Sequence, residues 1–211
     1  QLSMGANLAM PLTEAVLEGV AKGARAPLHA QALQALLVIC GSQMVRELPS
    51  RAFKHLVKMP DLPSRVADMC EKYESDSFIV PLVKALAQSA TQHANYERVL
   101  GGIVDEVKLS ELAVRALVGE LVTLGSGSGA DSAAATPAGA EHGREVAARS
   151  IRLVDLKHPT ACSSAVDSLL HNFSKPTGSK DGDEGTNEEK KAATLFLREA
   201  LAGSAAGPLP G

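Results

Sequence analysis

Three cysteines are the first residues in this chain that could carry chemistry. Cys40, Cys70 and Cys162 are odd in number, lie far apart, and each stands in an apolar stretch with helical character. A metal site would require ligands at closer spacing. We therefore expect buried, reduced thiols, and the sequence predicts no metal-binding residues.

The six histidines are scattered and none belongs to a recognisable catalytic or zinc-binding pattern. Neither H-E-x-x-H nor a Cys/His cluster occurs, and the nucleophile motif G-x-S-x-G is missing as well. For His55, which follows Phe53 on a helix, we expect a surface or packing role. No catalytic or cofactor-binding residue is predicted, so we expect a protein that is not an enzyme. A helical enzyme whose active site has no sequence signature is the alternative. The histidines are His29, His55, His93, His142, His158 and His171.

Two short stretches resemble binding loops in part. GSGSGA at 125–130 has the glycines of a phosphate-binding loop, but it lacks the Lys-Ser/Thr pair and a preceding strand. KDGDEGTNEEK at 180–190 departs from the calcium-loop pattern at Gly185, has Thr186 in place of the required glycine, and would place Ala192 where the closing Glu belongs. We interpret them as a linker and a solvated acidic loop, and no cofactor is expected.

Charge and hydropathy exclude two further classes. The formal net charge is −3 and no dense Lys/Arg block occurs, so strong direct nucleic-acid binding is not expected. Lys54 with Lys58, and Lys190 with Lys191, are too sparse for a nucleic-acid patch and are predicted to lie on solvated faces. No run of about 18 apolar residues exists, so no membrane span is predicted. Because the chain begins with Gln1, we expect a piece of a longer chain or a processed product.

The elements that would position any site have helical periodicity. Aromatic residues make up only 3% of the chain, so the core must consist of Leu, Val, Ala and Ile, which suits packed helices. At 28–40, apolar residues recur at helical spacing, with Pro27 before them and Gly41 as the expected stop. Similar patterns predict helices at 12–22, 49–57, 61–73, 77–93, 95–107, 110–124, 144–156, 159–173 and about 188–202.

Individual residues within these helices have expected places. Asp61 is predicted to be the N-cap of its helix, and Ser77 and Ser110 are predicted to start theirs. Tyr73 is expected on the same buried side as Val66, and Leu112 is expected in the apolar stripe of 110–124.

The order of helices predicts an all-α fold, namely an α-solenoid of antiparallel helix pairs of the HEAT or armadillo type with two disordered insertions. Each pair would cover about 35–45 residues. The predicted units are HEAT-like repeats at 1–124, a flexible low-complexity linker at 125–143, a HEAT-like pair at 144–173, a flexible polar insertion at 174–187, a terminal helix at 188–202 and a disordered tail at 203–211.

One block carries a resemblance to a known family. LPSRAFKHLVKMPDLPSRVADMCEKYESDSFIVPLVKAL at 48–86 resembles the N-terminal region of the large HEAT-repeat proteins of the small-subunit processome, which are associated with the U3 small nucleolar ribonucleoprotein. The segments at 33–43 and 96–121 are similar to the neighbouring helices of that family. The 156–170 segment departs from it, because Ser164 stands near the place of a usual Arg. The matching residues are Leu48, Phe53, His55, Leu56, Pro60-Asp61-Leu62, Glu71-Lys72-Tyr73 and Pro81-Leu82.

The resemblance implies a non-enzymatic nucleolar scaffold in ribosome biogenesis, acting in small-subunit processome assembly, pre-18S rRNA processing and rDNA transcription. It implies that the partners are other processome proteins, with precursor rRNA reached indirectly or through other parts of the chain. No membrane and no small-molecule substrate are expected. The alternative is a HEAT or armadillo protein–protein interaction adaptor in nuclear transport or trafficking.

Overall fold

A computed structural model describes residues 6–23, 29–127, 137–174 and 184–202, and every regular element within them is a helix. The predicted all-α fold is therefore confirmed for this part of the chain. Pro27, Leu28 and the predicted tail at 203–211 lie outside the described residues. The helices are α1 (Ala6–Gly23), α2 (His29–Gln43), α3 (Ser50–Leu56), α4 (Leu62–Cys70), α5 (Asp76–Ser89), α6 (Ala94–Glu106), α7 (Glu111–Ser126), α8 (Pro137–Lys157), α9 (Pro159–Ser174) and α10 (Glu184–Ala202).

Helices that are two apart along the chain pack side by side. One series runs α5, α7, α9 and the other runs α4, α6, α8, α10. The two series meet where α5 packs on α6, where α7 packs on α8, and where α10 packs on α7. At the N-terminal end, α1 packs on α2 and α3, and α2 packs on α4 and α5. These principal contacts join helices at most three positions apart in the chain order.

The core follows the apolar stripes of the sequence. Leu36 on α2, Leu86 on α5 and Leu117 on α7 are almost completely buried, and Phe78 and Phe196 are the largest buried side chains. Burying one Leu contributes roughly 1.5–3 kcal/mol. Several such residues on each helix outweigh helix propensity, which explains how α3, with seven residues, is held in place.

The N-terminal caps agree with the sequence in part. Ser110 caps α7 as predicted, because its Oγ accepts the backbone N–H of Ala113 at 3.1 Å. Helix α5 starts at Asp76 with Ser75 as the N-cap, one residue before the predicted start at Ser77. Asp61 occupies the N-cap position of α4, but its φ is 54° and its side chain makes no capping bond. Its carbonyl oxygen instead accepts the N–H of Arg65 at 3.1 Å.

The prediction that Gly41 stops its helix was wrong. Helix α2 continues to Gln43, and Met44, with a φ of 50°, is the residue that leaves helical geometry. A Cβ on Gly41 would lie 3.4 Å from Oγ of Ser77. Gly41 therefore lies within α2 and faces the start of α5, where a Cβ would make an ordinary van der Waals contact.

Two residues predicted to be buried are exposed. Tyr73 lies beyond the end of α4 and its exposed fraction is 46%, and Leu112 in the first turn of α7 is 56% exposed. Both were placed by extending a stripe to the end of a helix. The reasons differ. Tyr73 follows the end of α4 at Cys70, whereas Leu112 faces away from the side of α7 on which its neighbours Ala113 and Val114 are buried.

The boundaries of the two predicted insertions need correction. Residues 125–126 belong to α7, and 137–143 belong to α8, so the predicted linker at 125–143 is helical at both ends. Gly127, with a φ of 74°, ends α7, and Pro137 suits the first turn of α8 because no N–H is needed there. Ser174 lies in α9 and 184–187 lie in α10, so the polar insertion at 174–187 is also shorter. Residues 128–136 and 175–183 lie outside the described part.

Candidate interaction surfaces

Polar bridges connect neighbouring helices within each series. Lys84 on α5 lies 3.3 Å from Glu120 on α7, and Arg149 on α8 lies 2.9 Å from Glu97 on α6. Further bridges join Ser64 to Glu106, Asp105 to Lys157, Arg144 to Glu199 and, at 2.6 Å, Ser164 to Glu111. Exposed pairs of this kind contribute only about 0–1 kcal/mol each. They join adjacent helices of each series and pair several of the exposed carboxylates with a donor.

The C-terminal helix α10 closes over the ends of α7 and α8. The ring of Phe196 is buried against Gly125, and the guanidinium carbon of Arg144 lies 5.8 Å from the ring centroid. Arg152 donates from Nε to the carbonyl of Ala200 at 3.1 Å. These contacts attach α10 through an apolar anchor, a cation–π contact and a hydrogen bond to its last turn.

Three cations and a histidine lie at the corner where α3 ends and α6 begins. Lys54, Lys58, His93 and Arg98 are all exposed there, and we call these four residues the basic corner. Among the described residues, no carboxylate lies within ion-pair distance of Lys54, Lys58 or Arg98. The corner therefore differs from the bridged surface between the helices, where Lys84 or Arg149 has an acidic partner.

Hydrogen bonds hold the basic corner together across about forty residues of sequence. Asn95 donates from Nδ2 to the carbonyl of Val57 at 3.2 Å, and its Oδ1 accepts from Arg98 at 2.9 Å. The Tyr96 ring packs against Phe53, with ring centroids 5.4 Å apart. Arg98 is thus linked through Asn95 to the carbonyl of Val57, the residue that follows the end of α3.

His93 is oriented by the start of α6. Its Nδ1 accepts the backbone N–H of Asn95 at 3.0 Å and caps the helix, and its ring lies 5.9 Å from that of Tyr96. In the neutral ring the proton is then on Nε2. The ring consequently presents a donor and an apolar face on the exposed side of the corner.

The surface of the described residues includes a cleft and a wider groove. A cleft of about 290 Å³ lies between the α4–α5 and α6–α7 connections and is lined by Cys70, Tyr73, Asp76 and Lys108, among others. A wider groove of about 900 Å³ lies between α1 and the α2–α3 connection, with Glu18, Met44 and Arg51 on its walls.

The cysteines divide into two kinds. Cys40 and Cys162 are buried as predicted, and burial raises the pKa of each thiol to about 11. Cys70 is only half-buried, and Oγ of Ser75 donates to its sulfur at 3.0 Å. Burial still raises the pKa of Cys70. None of the three is therefore an activated thiolate.

The histidines occupy unrelated places. His29 is buried at the start of α2, and its Nδ1 has no hydrogen-bond partner among the described residues. Nε2 of His158 lies 3.1 Å from the carbonyl of Val104. His55 is half-buried on α3, in keeping with a packing role. Within the described ranges, no three His, Cys, Asp or Glu residues come together as metal ligands.

Among the described helices, none combines the length and the hydropathy of a membrane span.

Together these features define an all-helical protein whose described surface offers bridged helix faces and one basic corner. Residues 1–86 match the model of the family described as U3 small nucleolar RNA-associated protein 10. The predicted resemblance to the N-terminal region of that processome subunit is confirmed over these residues. No curated protein and no solved structure matches the chain.

The matched range differs from the range expected from the sequence. It contains the whole 48–86 block, and it begins earlier than the 33–43 segment. The segments at 96–121 and 156–170 lie beyond its end. The resemblance therefore applies to α1–α4 and most of α5, and the later helices continue the same packing without a family match.

The basic corner is the feature that sequence reasoning missed. Lys54 and Lys58 were assigned to an ordinary solvated face, and His93 and Arg98 were not connected to them. The bond from Asn95 to the carbonyl of Val57 brings the two segments together. Every residue has a backbone carbonyl, so the residue types could not indicate this hydrogen bond. The only available signal was the shortage of acidic residues in both segments.

Proposed function

We propose that this chain is a scaffold segment built as an α-solenoid of stacked helix pairs. The support is the packing order: helices alternate between two series, and the principal contacts join near neighbours in the chain. In such an array each pair depends on the next, and the product is an extended surface.

The process it serves is ribosome biogenesis, in assembly of the small-subunit processome and processing of pre-18S rRNA. The observation that carries this proposal is the match of residues 1–86 to a family of U3 small nucleolar RNA-associated proteins. The proposal includes a nucleolar location, other processome components as partners, and a role without catalysis.

The nature of the described surface supports a scaffolding role. The bridges between helices, such as Lys84 to Glu120, add polar contacts to the apolar packing of neighbouring helices. Raised thiol pKa values at Cys40 and Cys162 disfavour nucleophilic chemistry there. Such an arrangement would hold the binding faces of the scaffold at fixed distances from one another.

Affinity purification from growing cells tests the proposal. The tagged chain is expressed in parallel with Leu36→Asp, which disrupts the core, and with Val38→Asp, which places the same charge on an exposed position of the same helix. We expect U3 small nucleolar RNA and processome proteins to co-purify with the wild type and Val38→Asp, and not with Leu36→Asp. We likewise expect nucleolar fluorescence for the wild type and Val38→Asp, and not for Leu36→Asp.

A different pattern would reject this function. A diffuse cytoplasmic or vesicular signal, with transport or trafficking proteins in place of U3 RNA, would assign the chain to an adaptor of another pathway. Catalytic turnover by the purified chain would contradict the absence of catalysis.

A further inference from the structure

We propose that the basic corner, formed by Lys54, Lys58, His93 and Arg98, binds the phosphate backbone of single-stranded RNA directly. The choice of RNA as the polyanion rests on the proposed function. The existence of an anion site rests on the structure alone, and it goes against the sequence-based expectation that RNA is reached indirectly.

The first argument is the local charge. Residues 48–60 and 88–98, which form the corner and its surroundings, contain four Lys or Arg residues and one carboxylate, Glu97. Glu97 is occupied by Arg149 at 2.9 Å. At the edge, Asp61 is followed by Arg65, whose Nε donates to the carbonyl of Pro60 at 3.1 Å. The field at the corner is therefore positive although the whole chain carries a net charge of −3.

The second argument is preorganisation. Asn95 links Arg98 to the carbonyl of Val57, and the packing of Tyr96 on Phe53 fixes the first turn of α6 against α3. A guanidinium held in this way loses less conformational freedom on binding than a free surface side chain. Lys54 lies on α3, and Lys58 lies in the turn that follows the C-cap Val57.

The third argument is the start of α6. The positive end of its helix dipole points to the same corner, and His93 lies there as the N-cap. The only acidic residue in the first turn, Glu97, is neutralised by Arg149. The helix end thus adds to the attraction of the side-chain cations for an anion.

The rings favour RNA over an acidic peptide. His93 is exposed and rests beside the half-buried Tyr96, so cations and a flat ring lie next to each other. Single-stranded RNA uses this combination, with phosphates on Lys and Arg and an unstacked base on a ring. A Glu-rich peptide would use the cations and leave the ring without a partner.

The test is fluorescence anisotropy of a labelled 20-nucleotide oligo(U) titrated with the 211-residue chain at several salt concentrations. Three contacted phosphates of a single strand give a slope of log K against log salt of about −2. Lys54→Gln, Lys58→Gln and Arg98→Gln are combined in one variant. The matched control combines Lys72→Gln, Lys108→Gln and Arg198→Gln, three exposed cations outside the corner.

We expect the corner variant to bind at least about tenfold more weakly at low salt with a flatter slope, and the control to stay within about twofold of wild type. His93→Asn keeps an N-cap acceptor and removes the ring, and we expect it to weaken binding roughly fivefold. Melting curves of each variant check that the fold is intact.

Three results would overturn the proposal: no binding by the wild type at micromolar concentration in low salt, equal losses in the corner and control variants, or displacement of the RNA by polyglutamate at equal charge concentration. Loss of oligo(U) binding together with intact co-purification of processome proteins would reject this site and leave the proposed function standing.

Discussion

The ring of Phe196 on α10 occupies the space directly above the α-carbon of Gly125 on α7, where any larger residue would place its Cβ. Gly125 is buried in the last turn of α7, and Phe196 is almost fully buried. The lack of a side chain at Gly125 therefore allows α10 to pack against α7.

Gly125→Ala should destabilise the protein by about 1–3 kcal/mol, since the added methyl group collides with a ring that has no free space to enter. Gly119→Ala on the same helix is the control, because nothing lies within 4 Å of its added Cβ. That change should be neutral or stabilising by up to about 1 kcal/mol. Urea denaturation measures the free energy of unfolding of the two variants. An equal change in both would show that the Phe196 contact is unimportant.

Leu36→Asp should destabilise the protein by more than about 4 kcal/mol, because Leu36 is 1% exposed and an unpaired carboxylate would enter the apolar contact of α2 with its neighbours. Val38 lies two residues away and is 63% exposed. Val38→Asp should change stability by less than about 0.5 kcal/mol. Circular dichroism on heating separates the two, and a folded Leu36→Asp protein with an unchanged melting temperature would contradict the assigned core.

Ser164 donates its hydroxyl to Glu111 at 2.6 Å, and this bond, followed by the charge of Arg115, lowers the pKa of the Glu111 carboxyl. A lowered folded-state pKa contributes stability above the ordinary value of 4.5, and the contribution is lost as pH falls through the lower folded value. Ser164→Ala should raise the pKa of Glu111, as measured by NMR titration.

The stability difference between wild type and Ser164→Ala should therefore shrink as the solution becomes acidic. Ser163→Ala, at the exposed neighbouring position, should leave the titration of Glu111 unchanged. An identical Glu111 pKa in wild type and Ser164→Ala would show that the hydroxyl does not reach the carboxylate in solution.

Cys70 should be the first thiol to react with a disulfide reagent, because it is half-buried whereas Cys40 and Cys162 are almost completely buried. Its raised pKa should make the reaction slower than that of a free thiol at pH 7. Mass spectrometry after limited modification identifies the site. Cys70→Ser should abolish the early phase, and its persistence in that variant would contradict the assigned burial.

Much of the fold could be predicted from the sequence, and the reasons are local. The stripe of Leu33, Leu36 and Leu37 predicted a buried face because helical spacing places those residues on one side, and all three are buried. Ser110 was found as a cap because its side chain bonds within its own helix. At Gly41 and Tyr73 the expectations were wrong, because a partner helix or the lack of one decides the outcome there.

By itself the sequence determined that the described chain is helical, where most of its apolar stripes lie, and that residues 1–86 resemble a U3-associated family, because periodicity and motif are properties of neighbouring residues. Only the tertiary structure joined Asn95 to the carbonyl of Val57 and placed Phe196 over Gly125. Those contacts depend on hydrogen bonds and packing between segments far apart in the chain, and the identity of either segment alone does not specify its partner.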